Sequence, residues 1–177
     1  MRAKVNRKAA IKEPYLVWNA FIDVLAMGER NELSPIQIAP HLSFWYDSEV
    51  QNGGHLQYFL NRGIDEAREA LGALASIGAD AQREILVRAI EYYTQSGIDN
   101  WETADEYDAL WRQGHFEEHD LAYHDCVPEM TELLQRYLDV HTEDFIEYTD
   151  RPVRDRYELT WHNKLYLRIR RFLGLMP

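Results

Sequence analysis

Apolar residues recur three and four positions apart along most of this chain, which is the spacing of one face of an α-helix. The first stripe contains Tyr15, Trp18, Phe21, Ile22 and Leu25 and ends at Gly28. Further stripes cover 67–77, 85–93 and 130–148, and the first two are each followed by a glycine. No segment shows clearly the alternation of apolar and polar residues that a half-buried strand requires. The pattern predicts an all-α fold of about seven to nine helices.

Short signals between the stripes predict where helices begin and end. Ser34 followed by Pro35 is a helix-start pattern, and Pro128 is expected at the first position of a long helix. Pro40 predicts that the intervening helix either begins or kinks there. Asn52-Gly53-Gly54 predicts a tight turn between two helices. A final stripe predicts a C-terminal helix and consists of Trp161, Leu165, Ile169 and Phe172.

Composition narrows the class of protein. The 177 residues are 46% hydrophobic, but no apolar run approaches the roughly 20 residues that span a bilayer. Cys126 is the only cysteine, which excludes an intrachain disulfide and a C-x-x-C site. We therefore expect a cytoplasmic protein with no membrane partner, built as a single compact all-α domain over residues 13–177. Residues 1–12 hold five cations and no anion, and we expect them to form a flexible basic arm.

Charge is strongly segregated along the chain. The net charge is -11, yet residues 13–150 alone carry -21, and residues 99–150 hold 16 acids against Arg112 and Arg136. Residues 151–177 are basic, with seven cations and two acids. Binding to DNA, RNA or anionic lipid relies on Lys and Arg, so the acidic stretch repels all three. The expected partner is a basic macromolecule.

Several of these acids are spaced to share one helix face. Asp139, Glu143, Glu147 and Asp150 are four, four and three apart, so a continuous helix would align them. Like charges one turn apart destabilise a helix by about 0.2 to 0.5 kcal/mol per pair, which favours a role beyond stability. The candidate partner-binding acids are Glu102, Asp105, Glu106, Asp108, Glu129, Glu132, Asp139, Glu143, Glu147 and Asp150. An ordinary solvated acidic face, neutralised within the fold by the Arg-rich C-terminal helix, explains the same pattern and stays open.

The best metal candidate is a histidine-rich stretch that contains His115, His119 and His124 beside several acids. His115 and His119 share a helix face, and imidazole with carboxylate ligands suits zinc or iron. The paired Glu-x-x-His motif of di-iron helical proteins is missing, so solvated surface histidines are the preferred interpretation. Phosphate loops and the G-x-S-x-G and H-E-x-x-H motifs are also missing. We therefore expect no metal, no cofactor and no catalytic residues.

A compact motif lies in the first half of the chain. Residues 49–61 read Glu-Val-Gln-Asn-Gly-Gly-His-Leu-Gln-Tyr-Phe-Leu-Asn. This motif, within a match over residues 44–93, resembles the bacterial family of dimeric DNA-mimic proteins, whose core is E-V-x-N-G-G-x-x-Q-Y-F-x-N. The resemblance implies an all-α fold, a homodimer, no catalytic activity and an acidic surface that occupies the DNA-binding face of a transcription factor. His55 departs from that family, which usually has an aromatic residue at this position.

The motif residues themselves are expected to be structural. They are Asn52, Gly53, Gly54, Gln57, Tyr58, Phe59 and Asn61. The glycines allow a tight turn, Tyr58 and Phe59 fill the core, and Gln57 and Asn61 bond to unpaired groups at helix ends. The alternative is that Asn52, His55, Gln57 and Asn61 line a ligand pocket.

Three functions from different classes follow from these patterns. The first is a DNA mimic that binds the DNA-binding face of a basic transcription factor or nucleoid protein and blocks its access to DNA. The second is an immunity or antitoxin protein whose acids cap a basic toxin. The third is a metal-dependent helical enzyme that uses the three histidines.

Overall fold

The structure is a computed structural model that describes residues 1–98, 104–151 and 153, with the backbone only at 104, 105, 107 and 108. The described part is a single compact helical domain, as the sequence predicts. Its helices are α1 (Arg7–Lys12), α2 (Tyr15–Met27), α3 (Pro35–Ser76), α4 (Asp80–Ser96), α5 (Ala104–Arg112), α6 (Glu117–His124) and α7 (Met130–Phe145). Two short strands, β1 (Ala3–Asn6) and β2 (Ile146–Thr149), and a 3-10 turn at Arg30–Glu32 complete it.

Helix α3 is the centre of the domain and packs against α2, α4, α6 and α7. Glycines divide it into three pieces. Gly53 (φ -157°) and Gly54 (φ 73°, ψ -176°) break the helix where the tight turn was predicted, and Gly63 (φ 76°, ψ 164°) breaks it again. Of the first pair only Gly54 has a positive φ.

Pro40 lies inside α3 without ending it. Because proline has no N–H, it leaves the carbonyl of Ile36, four residues earlier, without its helical donor. The Tyr137 hydroxyl of α7 donates to that carbonyl at 2.8 Å. A residue 101 positions away therefore supplies the missing hydrogen bond.

Aromatic side chains fill the core around the first break in α3. Tyr46 and Tyr58 are fully buried, with ring centroids 4.9 Å apart. Phe59 stacks on Tyr93 of α4 at 4.5 Å, and Phe21 of α2 meets Phe145 edge-on at 4.8 Å. Such pairs add to burial because ring edges and faces carry opposite partial charges.

The two strands correct the sequence analysis. Residues 3–6 pair in parallel with residues 146–149, so Lys4 lies opposite Glu147, and Val5 is buried. Residues 1–12 thus form β1 and α1 rather than the flexible arm we expected. Gln37 links the start of the chain to the end of α7. Its side-chain amide donates to the Asp144 carbonyl at 2.8 Å and to the Met1 carbonyl.

Two expected helix boundaries also differ from the structure. The long helix begins at Met130 rather than at Pro128, and it ends at Phe145 rather than continuing to Asp150. The main chain of Ile146–Thr149 pairs with β1 instead of extending the helix. The predicted C-terminal helix lies outside the described residues. No helix among the described residues is long and apolar enough to cross a membrane.

Candidate functional site

Helix α7 presents an acidic face opposite its buried face. Glu129, at its start, and Glu132, Asp139 and Glu143, within it, are all exposed. The opposite face carries Met130, Leu133, Leu134, Leu138 and Phe145, all buried. We call these four exposed acids the α7 acidic face. Arg136 lies among them and reaches Glu132 at 3.4 Å, a solvated pair that is worth little.

The predicted stripe does not continue beyond α7 as one helix face. Glu147 lies in β2 and Asp150 in the bend that follows it. Lys4 of β1 approaches Glu147 at 3.8 Å, and the Arg2 guanidinium donates to the Glu143 carbonyl at 3.4 Å. Cations near the start of the chain therefore lie close to the C-terminal part of the predicted stripe and offset part of its negative charge.

The remaining predicted acids belong to the region around α5. Glu106 is exposed. Glu102 and the side chains of Asp105 and Asp108 lie outside the described residues. Three further acids, which were not among the predicted partner-binding residues, are exposed on and next to α6: Glu117, Glu118 and Asp125. The sequence feature that could have identified them is the excess of acids over residues 99–150 as a whole.

Two of the motif residues donate hydrogen bonds to one buried carboxylate. Glu49 is 9% exposed, and its Oε2 accepts from the Gln57 amide at 2.7 Å and the Asn61 amide at 2.8 Å. Its Oε1 accepts from Arg62 at 3.4 Å, and Asn52 donates to Gln57 at 3.3 Å. The structure differs from our expectation here, because Gln57 and Asn61 bond to Glu49 rather than to helix ends. A carboxylate with several donors can remain charged while buried.

The Arg62 guanidinium also contacts an aromatic ring and a second carboxylate. It lies 3.9 Å from the centroid of the Trp45 ring and pairs with Glu66 at 3.7 Å. A guanidinium over an aromatic face is attracted by the negative face of the ring. The Glu49 network therefore ties the pieces of α3 on both sides of its first break.

A second buried network is centred on His55. Its Nδ1 lies 2.6 Å from Asp120 Oδ1, and its backbone N–H donates to the same oxygen at 2.8 Å. Since a carboxylate only accepts, Nδ1 donates to Asp120, and Nε2 is hydrogen-bonded to the Tyr46 hydroxyl at 2.9 Å. Burial raises the pKa of Tyr46 well above its usual value. The Asp120 carboxylate thus caps the helix piece that starts after Gly54.

Burial shifts the pKa values of two groups near the His55 network, His119 and Asp47. Burial lowers the pKa of His119, and the nearby His55 lowers it further. Burial also raises the pKa of Asp47, although the Tyr123 hydroxyl donates to its carboxylate at 2.8 Å and opposes that shift.

The four residues of the alternative ligand pocket belong to two different networks. Asn52, Gln57 and Asn61 belong to the Glu49 network, whereas His55 belongs to the other. Each of these side chains makes at least one hydrogen bond within the protein, which favours a structural role. Tyr58 and Phe59 are buried at 0% and 2% exposure.

The candidate metal residues have separate partners. His115 contacts the Tyr92 hydroxyl at 3.0 Å and Gln113 at 2.7 Å, while His124 is exposed. His119 packs against His55 with ring centroids 6.1 Å apart. Over the described residues, no group of three His, Cys, Asp or Glu side chains is arranged to hold a metal ion. Burial raises the pKa of the Cys126 thiol, with Asp125 adding to the effect against Arg88.

The fold and these surfaces define a class of protein: a helical domain with a buried polar motif in its central helix and exposed acids on a later helix. Residues 31–141, more than half of the chain, match the family model described as DMP19-like protein. The chain therefore belongs to the DMP19-like protein family. Comparison with curated proteins and with solved structures found no match.

Proposed function

We propose that this protein is a DNA mimic that binds the DNA-binding face of a basic transcription factor or nucleoid protein. The observation that carries the proposal is the α7 acidic face, four exposed carboxylates on the side of the helix that points away from the core. The net charge of -11 and the motif resemblance to DNA-mimic proteins support it. The proposed role is binding without catalysis, by a homodimer in the cytoplasm.

The structure changes which acids are best suited to the role. Glu147 has Lys4 beside it, so its charge is partly offset within the fold. Among the described residues, Arg136 pairs with Glu132 of the α7 acidic face, and Arg2 reaches only the main-chain carbonyl of Glu143. We therefore place the centre of the proposed contact between Glu129 and Glu143. Exposed charges attract a basic partner over roughly 8 to 10 Å at physiological salt, so binding should weaken as salt rises.

The test is capture of partners from a lysate of the native host on the immobilised full chain, with and without duplex DNA. We expect a basic DNA-binding protein that duplex DNA displaces. The variant E132K/E143K should lose this partner, because it reverses charge within the acidic face. The matched variant E84K/E91K changes the net charge equally, at exposed positions of α4, and should retain it.

Two results would contradict the proposal. One is a partner that duplex DNA does not displace, and the other is equal loss of binding in both variants. The homodimer is tested separately by light scattering on the full chain, where a monomeric mass would contradict it.

A further inference from the structure

An apolar groove runs beside the α7 acidic face. One wall comes from α1, α2 and the residues between them, and the other comes from α7 and β2. Its volume is about 830 Å³, and its apolar lining includes Ile11, Tyr15, Trp18, Leu138 and Tyr148. This volume lies within the range of clefts that bind ligands.

The rim of the groove exposes large apolar side chains to water. Ile11 is 77% exposed and Tyr15 is 56% exposed. Single exposed apolar residues are common, but several around one cleft mark a binding surface. Burying such side chains on association is favourable by about 25 cal/mol per Å² of apolar surface, before the cost of ordering the partner.

The groove lining contains a cation and a carboxylate as well as apolar side chains. Arg7, on the α1 wall, reaches over the Tyr148 ring, 5.3 Å from its centroid. Asp139, on the α7 wall, accepts from Gln135 at 2.8 Å, and both residues line the groove. An occupant therefore meets both a cation, which extends from α1 to Tyr148, and a carboxylate of α7.

We propose that this groove binds an amphipathic α-helix of a partner protein. The apolar face of that helix enters the groove, and residues flanking this face supply cations for Asp139 and carboxylates for Arg7. A helix with its side chains is about 10 to 12 Å wide, and seating one between helical walls is a recurrent mode of recognition. The inference goes beyond the proposed function, since it requires no imitation of DNA: duplex DNA has no apolar helix face to place here.

Three synthetic peptides with the same leucine content provide the probe. The first is helical, with Leu on one face, Lys on one flank and Glu on the other. The second replaces Glu by Lys, so that both flanks are basic. The third scrambles the first, so that no apolar face forms. Binding of each fluorescent peptide to the full chain is measured by anisotropy at moderate salt.

The order of affinities separates the groove from simple charge attraction. Attraction to a chain of net charge -11 favours the all-Lys peptide, whereas the groove favours the peptide with split flanks. We expect the split-flank peptide to bind most tightly and the scrambled peptide to bind about tenfold more weakly or not at all. Tightest binding by the all-Lys peptide would overturn the proposal.

Variants then locate the site. I11S/Y15S should weaken binding of the split-flank peptide by about tenfold, because it removes the apolar rim. L121S is the matched control, since Leu121 is 60% exposed on α6 and lies outside the groove lining. It should leave the affinity unchanged. Equal effects of the two variants would overturn the assignment.

A second pair of variants tests the charged contacts of the groove. D139N should weaken the split-flank peptide more than E129Q does, because Asp139 lines the groove and Glu129 does not. If residues 154–177 of the same chain or a second copy filled the groove, the wild-type protein would bind none of the peptides. That result also overturns the proposal, and it leaves the DNA-competition test of the proposed function intact.

Discussion

Glu49 shows how one buried carboxylate organises the motif. Its two oxygens accept from Gln57, Asn61 and Arg62, three side chains that lie after the first break in α3. Glu49 itself lies before that break. The carboxylate therefore joins two helix pieces through charge-assisted hydrogen bonds, which are stronger than neutral ones.

We expect E49A to lower the free energy of unfolding by about 3 kcal/mol, because it leaves three donors without their acceptor. E49Q should cost less, since its amide oxygen still accepts. Urea unfolding measures both. E66Q is the control, because the Glu66–Arg62 pair at 3.7 Å is partly solvated and should contribute about 0.5 kcal/mol. Equal losses for E49A and E66Q would show that the Glu49 network does not stabilise the fold.

Substitutions at Gly54 and Gly63 allow the cost of backbone strain to be compared with the cost of a steric collision. Both have a positive φ with an extended ψ, a region that is essentially restricted to glycine. A Cβ at Gly54 would collide with the Asp120 carboxylate, whereas a Cβ at Gly63 meets nothing within 4 Å. The two positions therefore differ in their surroundings rather than in their backbone.

We expect G63A to cost about 1 to 3 kcal/mol of unfolding free energy from strain alone. G54A should cost more, since Asp120 must also move and release its bonds to His55. Thermal unfolding of both variants gives the comparison. The double variant G54A/D120A tests the cause, and a collision requires that the two changes cost less together than their sum.

At the scale of elements, α3 and α7 are joined by a bond that compensates for a proline. The Tyr137 hydroxyl donates to the carbonyl that Pro40 leaves without a helical donor. A proline inside a helix normally costs about 3 kcal/mol or more. Here α3 retains its helical course through Pro40, and α7 supplies one replacement donor.

We expect Y137F to lower the unfolding free energy by about 1 kcal/mol, the value of a typical hydrogen bond. In a P40A background the alanine N–H can bond to Ile36, so the same change should cost less. A double-mutant cycle measured by urea unfolding gives the coupling. Additive costs would mean that Tyr137 does not compensate for Pro40.

The parallel strands illustrate a pairing that local sequence indicates weakly. Ile146-Glu-Tyr-Thr149 does alternate apolar and polar residues, but it follows a helical stripe without a break. Two strands separated by 139 positions in sequence have no local signal that joins them. Their pairing sets the end of α7 and brings Lys4 to Glu147.

For the whole molecule, the buried His41 and the partly buried His119 make stability depend on pH. Burial lowers the pKa of His41 below 6.5, against the opposing effect of its bond to the Leu25 carbonyl. Burial also lowers the pKa of His119, with His55 adding to the effect. In the unfolded chain both groups regain ordinary pKa values, so it binds more protons than the folded protein below about pH 6.5.

We therefore expect the unfolding free energy to be nearly constant above about pH 7 and to fall as the pH drops below about 6.5. Urea unfolding between pH 8 and pH 5.5 measures this slope. H119Q should show a smaller fall, since it removes one of the two groups. An unchanged slope in H119Q would show that His119 does not contribute.

The sequence by itself determined the all-α class, most helix boundaries and the segregation of charge, because these depend on local spacing. The apolar stripe at 15–27 predicted α2 directly, and the two glycines at 53–54 predicted the interruption of α3. The sequence also indicated that α7 carries acids opposite its apolar face.

Only the tertiary structure decided which polar groups meet. Asp120 reaches His55 across 65 positions and Tyr137 reaches Ile36 across 101, and no spacing rule covers such distances. Because of the strand pairing, Glu147 and Asp150 lie outside the helix, and Lys4 lies beside Glu147. The physical reason is that hydrogen bonds and charge pairs depend on positions in space, which packing of the helices sets, whereas helix formation depends on neighbours in sequence.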